Sequence, residues 1–261
     1  MRILTLTSSY RERGNTARLV GLIEQHLVAL AAGRNETLTI DSINLARQDI
    51  RMCRGCRICF DRGEEHCPLK DDLPSIRAKM EEADGFIVAS PVYVNDVNGV
   101  AKNWMDRLAY VCHRPAFAGK CVYLIATVAD SPTRHALRTL NLGLRTWGCH
   151  IVGEAGFEMG ARMPDDELKT ELDSAASRIA DELHGAIVEG RYLRPSFFSL
   201  MVFRIQQLSW RGHDPESLDY AYWQERGWFD PSCTFYINHR ALPLKVTAAR
   251  LAGTVLSRFV A

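Results

Sequence analysis

The sequence lacks any uninterrupted apolar run near the roughly 18 residues of a membrane span, which excludes a helical transmembrane protein on hydropathy. It lacks a charge excess: the net charge is +1 at pH 7, so bulk electrostatics do not favour a nucleic-acid partner. It lacks a signal-peptide layout, because MRILTLTSS enters a short alternating apolar run directly. The expectation is a cytoplasmic protein. Neither G-x-G-x-x-G nor G-x-x-x-x-G-K-S/T occurs, so a dinucleotide pyrophosphate and an ATP triphosphate both lose their usual cradle. No internal repeat or low-complexity run is present. At 261 residues that leaves one large domain, or one domain with an addition.

What is present is an alternation of two periods. RILTLT (2–7), TLTIDSINL (37–45), GFIVAS (85–90), KCVYLIATV (120–128) and CHIVGEAGF (149–157) read as strands. The third is a near-continuous apolar run, as a central parallel strand covered on both faces requires. Segments 16–32, 71–83, 99–111, 131–148 and 164–190 have helical spacing. In the first, Leu19, Leu22, Ile23, Leu27 and Leu30 share a face. This order predicts an α/β fold, a doubly wound sheet of five parallel strands. Such sheets bind ligands outside the carboxyl ends of their strands, which directs attention to the loops after strands one, three and four.

The first of these loops, SSYRERGNTARL, opens a helix. A helix N-terminus offers backbone N–H groups and a favourable dipole to a phosphate. Ser8, Ser9, Asn15 and Thr16 add side-chain donors, Arg11 adds charge, and Gly14 permits a tight turn. With the pyrophosphate and triphosphate motifs absent, a terminal monophosphate such as that of FMN remains. Plain helix capping by Ser and Thr is the competing explanation. After strand three, Pro91, Val92 and Tyr93 offer a face for a flat ring, and Asn95 to Gly99 a polar loop.

Four of the eight cysteines crowd into fifteen positions: Cys53, Cys56, Cys59 and Cys67, spaced C-x2-C-x2-C-x7-C. In a reducing compartment such thiols read as metal ligands or redox groups rather than disulfides. Two x2 spacings let three thiolates wrap one corner of a 4Fe–4S cube, with the fourth returning from further away. Zinc and a metal-free reduced loop are the alternatives. Arg51, Arg54, Arg57 and Arg62 sit among the thiols and are expected to lower their pKa values and stabilise an anionic cluster. His66 is either a substitute ligand or a solvated loop residue. Cys121 and Cys149 open strands and read as buried structural thiols.

SSYRERGNTA, MCRGCRICF with its later cysteine, and ADGFIVASPVYVNDVNGVAKNWMDR stand in the order found in the NADPH-dependent FMN reductase family of flavodoxin-like proteins. The chain most resembles the iron–sulfur flavoprotein branch, over about residues 2–190. The resemblance implies that Ser9, Arg11, Asn15 and Thr16 surround the FMN phosphate. It implies that Pro91, Val92, Tyr93, Asn95 and Asp96 line the flavin ring, and that Cys53, Cys56, Cys59 and Cys67 hold a 4Fe–4S cluster. The loop after strand four, TVADSPTRHAL, lacks the glycines often seen there. The implied activity is an FMN-dependent oxidoreductase. NADH or NADPH is the reductant, and a quinone, small oxidant or redox protein is the acceptor. No side chain is expected to be catalytic, since the cofactor carries the chemistry. A non-enzymatic electron carrier or redox sensor is the second reading. The resemblance also implies a homodimer or homotetramer.

The flavodoxin-like part is expected to span residues 1–190, with its cysteine loop at 51–70. Residues 191–261 form an extension holding 13 of the chain's 23 aromatics, too many for a disordered tail. A mainly helical appendage with an aromatic core is expected there; Trp223, Trp228 and Tyr236 covering the flavin or a partner is the alternative. Segment 243–260 places Leu244, Ala248, Leu251, Val255 and Phe259 at helical spacing beside Lys245, Arg250 and Arg258. Such a helix either packs on protein or lies on a membrane.

Overall fold

The computed structural model describes residues 1–159 and 165–260. Its sheet has five parallel strands: β1 (Arg2–Thr7), β2 (Thr39–Asn44), β3 (Gly85–Tyr93), β5 (Cys121–Val128) and β6 (His150–Glu158). Their order is β2-β1-β3-β5-β6, which puts the topological switch point between β1 and β3. A short β4 (Asp96–Val97) folds back antiparallel onto the end of β3. The five strands expected from the apolar runs are all present.

Alternation along each strand sends neighbouring residues to opposite layers. Ile3, Ile87, Ala89, Tyr123 and Ile125 pack with α1 (Asn15–Gly33) and α6 (Asp165–Val188). Leu4, Leu6, Phe86, Val88, Val122 and Leu124 pack in the opposite layer with α3 (Leu73–Glu82), α4 (Gly99–Arg107) and α5 (Arg134–Thr146). A single turn, α2 (Ile58–Asp61), lies inside the cysteine loop. Helix α6 was expected to begin at Pro164, which lies outside the described residues.

The extension folds around its own apolar cluster. Helices α7 (Phe197–Arg211), α8 (Leu218–Glu225) and α9 (Pro243–Val260) enclose Leu200, Phe203, Trp223, Trp228 and Tyr236. Ser196 and Ser217 cap α7 and α8, accepting the N–H groups of Ser199 and Tyr220. The aromatic core expected for this segment is therefore observed. Among the described residues no helix is long and apolar enough to cross a membrane.

Candidate functional site

At the carboxyl ends of β1, β3 and β5 lies an open cleft of about 650 Å³. Its wall is built first by the turn after β1. The Ser9 hydroxyl accepts the Arg11 N–H at 3.1 Å, and the Gly14 N–H donates to the Arg11 carbonyl at 3.1 Å. A Cβ on Gly14 would meet the Arg11 Cβ at 3.0 Å, so a larger residue there would push the turn open by a few tenths of an ångström. No side chain caps α1 at Gly14. Its leading N–H groups are left to a ligand or solvent. Asn44 fixes the turn from β2 by donating to the Ser9 carbonyl at 3.0 Å.

Seven of the nine residues expected around FMN line this cleft: Ser9, Arg11, Asn15, Thr16, Pro91, Val92 and Tyr93. Arg13 and Thr127 to Ala129 join them. So the loop after β5 contributes despite lacking glycines. The end of β5 is tied to the first turn of α1 by a 2.6 Å hydrogen bond between the buried hydroxyls of Thr127 and Thr16, a long-range pairing that neither segment reveals alone.

Asn95 and Asp96 do not line the cleft. The expected polar loop is instead a two-residue hairpin, in which Val92 pairs with Val97 and Tyr93 with Asp96. Val94 (φ +49°) and Asn95 (φ +65°) form its tip. Two successive positive φ values give the turn whose twist matches paired strands, although a β-branched residue adopts that conformation at a cost. Asp96 accepts the Val97 N–H at 2.7 Å and faces His135 at 3.5 Å.

All four loop cysteines line a second cavity, of about 490 Å³, with Arg54, Arg57, Arg77 and Arg107. The two cavities share no lining residue among those described. Gly55, Arg57 and Gly63 have positive φ, which folds the loop back so that Cys67 returns to the other three. The thiols line one cavity but stand apart: among the described residues no three His, Cys, Asp or Glu side chains form a group that could hold a metal ion. The all-thiolate donor set nevertheless suits an iron–sulfur cluster by its chemistry, while the charges around it balance: Arg54, Arg57, Lys70, Arg77 and Arg107 against Glu64, Glu65, Asp71, Glu81 and Asp106.

The expectation that the arginines lower the thiol pKa values fails for Cys59. Burial pushes its thiol up, and the charges of Cys67, Cys53 and Cys56 push it further. Arg51 and Arg57 are instead engaged with Asp49 and Asp61. The cation that reaches a thiol is Arg107 from α4, 3.9 Å from the Cys67 Sγ. It is buried and paired with Asp71. Asp71 is held below its ordinary value: burial raises it, but bonds from Arg107 and from the N–H groups of Arg51 and Leu73 outweigh that. His66 pairs with Glu65 at 3.1 Å on the surface.

The extension braces this loop through residues 112–115. Arg114, almost fully buried, donates to the carbonyls of Cys59 and Phe60 and pairs with Glu64. Asp219 of α8 holds Arg114 at 2.7 Å and the His113 ring at 2.8 Å. Gln206, Trp223 and Tyr222 donate to the carbonyls of Cys112, His113 and Pro115, each at 2.8 Å. Nothing in the local sequence around these residues signals the clasp, because its partners lie about a hundred positions apart.

Comparison with known proteins agrees with this architecture. Residues 1–162 match the family model described as NADPH-dependent FMN reductase. An iron–sulfur flavoprotein of Archaeoglobus fulgidus is 27% identical over 232 residues, covering 87% of this chain and 99% of its own. Another, from Methanocaldococcus jannaschii, is 38% identical over 107 residues, covering 41% of this chain and 51% of its own. Among solved structures, an oxidoreductase from Corynebacterium diphtheriae is similar at TM-score 0.56, with 22% identity over 72% of this chain and 98% of that one. An azoreductase from Bacillus anthracis is similar at TM-score 0.55, with 12% identity over 69% and 99%. These structures speak to the flavodoxin-like fold alone. With the family model spanning well over half of its length, the chain belongs to the NADPH-dependent FMN reductase family and is an NAD(P)H-dependent flavin oxidoreductase.

Proposed function

We propose that the cleft binds FMN, that Cys53, Cys56, Cys59 and Cys67 ligate a 4Fe–4S cluster, and that the protein passes electrons from NAD(P)H to a quinone, small oxidant or redox protein. When bound, FMN supplies hydride chemistry with the nicotinamide and the cluster supplies single-electron transfer. The chain's own residues bind and orient. The uncapped start of α1, with Ser9, Arg11, Asn15 and Thr16, meets the phosphate. Pro91, Val92 and Tyr93 present an apolar face to the ring. Arg107, fixed by Asp71, sets a positive charge beside Cys67. No side chain takes a proton in this reading, and the flavin reductase part is assigned to residues 1–190.

The observation that supports it most is that all four spaced cysteines line one cavity. The archaeal relatives carry the name iron–sulfur flavoprotein, which agrees. The test is anaerobic purification followed by absorbance, iron and sulfide analysis, then anaerobic titration with NADH or NADPH. Flavin bands, broad absorbance underneath, stoichiometric iron and sulfide, and rapid bleaching are expected. Flavin without iron would reduce the protein to a plain flavin reductase. Flavin that NAD(P)H does not bleach would mark an electron carrier instead.

A further inference from the structure

Helix α9 turns two faces to different surroundings. Ala249 is buried, and a Cβ on Gly253 would come within 2.8 Å of the Met201 carbonyl, so this side is pressed against α7. The opposite stripe is open: Leu244, Leu251, Val255 and Phe259 are 85%, 65%, 56% and 80% exposed. Their spacing keeps them on one side of a 3.6-residue helix. Phe197 and Phe198 at the start of α7 are also exposed. Scattered apolar side chains on a surface need no explanation, but a contiguous stripe marks an interaction face.

Charge says what that face meets. Helices α7 and α9 contain no Asp or Glu and carry five cations: Arg204, Arg211, Lys245, Arg250 and Arg258. The whole chain balances 32 Lys and Arg against 31 Asp and Glu, so this one-sidedness is local. Arg250 is spent on the carbonyls of Cys233 and Pro231, and Arg204 on Thr254 and Gln207 in the seam between α7 and α9. Among the described residues Lys245 and Arg258 form no ion pair. A second copy packing α9 against α9 would set cations against cations, which opposes association. An anionic bilayer offers the complementary pair of surfaces: acyl chains for the stripe and phosphates for the cations.

We propose that the outer face of α9 docks on an anionic lipid surface, lying in the plane of the headgroups with Leu244, Leu251, Val255 and Phe259 entering the acyl boundary. The helix does not span. Docking brings the reductase to acceptors dissolved in the bilayer; the proposal itself rests on α7 and α9, not on the cluster.

The test uses the full chain with two vesicle populations, phosphatidylcholine alone and phosphatidylcholine with phosphatidylglycerol, separated by sedimentation. The protein should pellet with the second and not the first, and release as salt rises. Leu251→Glu and Phe259→Glu, both exposed, should each weaken binding about tenfold or more, and Lys245→Ala about fivefold. Flavin content and NAD(P)H bleaching on the same samples report the reductase reading separately and should not change. Absence from the phosphatidylglycerol pellet overturns the proposal, as does Leu251→Glu binding like the parent. If the parent stays off vesicles and Leu251→Glu splits a dimer in analytical ultracentrifugation, the face belongs to a second copy.

Discussion

Cys121 and Tyr123 occupy alternate positions on β5 and point into the same layer. Burial pushes the Cys121 thiol from 9.0 up to about 12, and burial together with Glu182 pushes the Tyr123 phenol from 10.0 up to about 12. Each group is neutral when protonated, so the fold retains protons that the unfolded chain releases above about pH 9. The native state then binds more protons than the unfolded one, and stability falls as pH rises. Each such group contributes a loss of roughly 1 kcal/mol per pH unit above its ordinary value. Urea unfolding at pH 8, 9.5 and 10.5 should show a steepening decline, and Cys121→Ala should make it shallower from pH 9 onward. A stability that stays level to pH 10.5 would show these groups ionising in place. The buried thiols were legible from the apolar runs that contain them. The raised thiol of Cys59 was not, because a count of nearby arginines shows neither its burial nor the charges of Cys67, Cys53 and Cys56 gathered around it.

Elements whose pattern repeats were readable; elements made by one unusual residue were not. Each of the five long strands and its following helix announces itself over six or more positions, and in β1, β3 and β5 burial follows the apolar run. The β3–β4 hairpin depends on Val94 at positive φ, and a Val-Asn pair lacks the glycine that normally signals such a turn. The clasp of α8 on residues 112–115 was equally hidden, since it is a contact between elements rather than a pattern within one. It nevertheless gives the extension a measurable job. Asp219→Asn keeps the shape of the side chain but leaves Arg114 buried without its full partner charge. Breaking a buried pair in this way costs about 3 kcal/mol, and the Cys59 and Phe60 carbonyls lose a firmly held donor. In the metal-free protein, maleimide labelling of Cys59, mapped by peptide mass, should be several-fold faster in this variant. Equal labelling rates would mean that the extension does not steady the cysteine loop.

Across the whole molecule, α4 is the member that ties the two cavities to one frame. At its start the fully buried Asn98 accepts the Ala101 N–H at 3.1 Å and donates to the Ser8 carbonyl at 2.6 Å, in the strand end that leads to the cleft. One turn on, Asn103 accepts the Cys53 N–H at 3.0 Å and donates to the carbonyls of Ile50 and Arg51. One asparagine thus serves the cleft and the other the cysteine loop, on a helix too short to bend between them. Asn98→Ser keeps a capping oxygen but cannot reach Ser8, leaving a buried carbonyl unpaired at a cost of about 2 kcal/mol. It should lower flavin affinity and leave iron content unchanged. Asn103→Leu removes three bonds to the cysteine loop and should lower iron content while flavin is retained. Purified variants assayed for both groups give a crossed result if each asparagine holds its own centre. Parallel losses of flavin and iron in each variant would mean that α4 moves as one body, and that disturbing either end disturbs both centres.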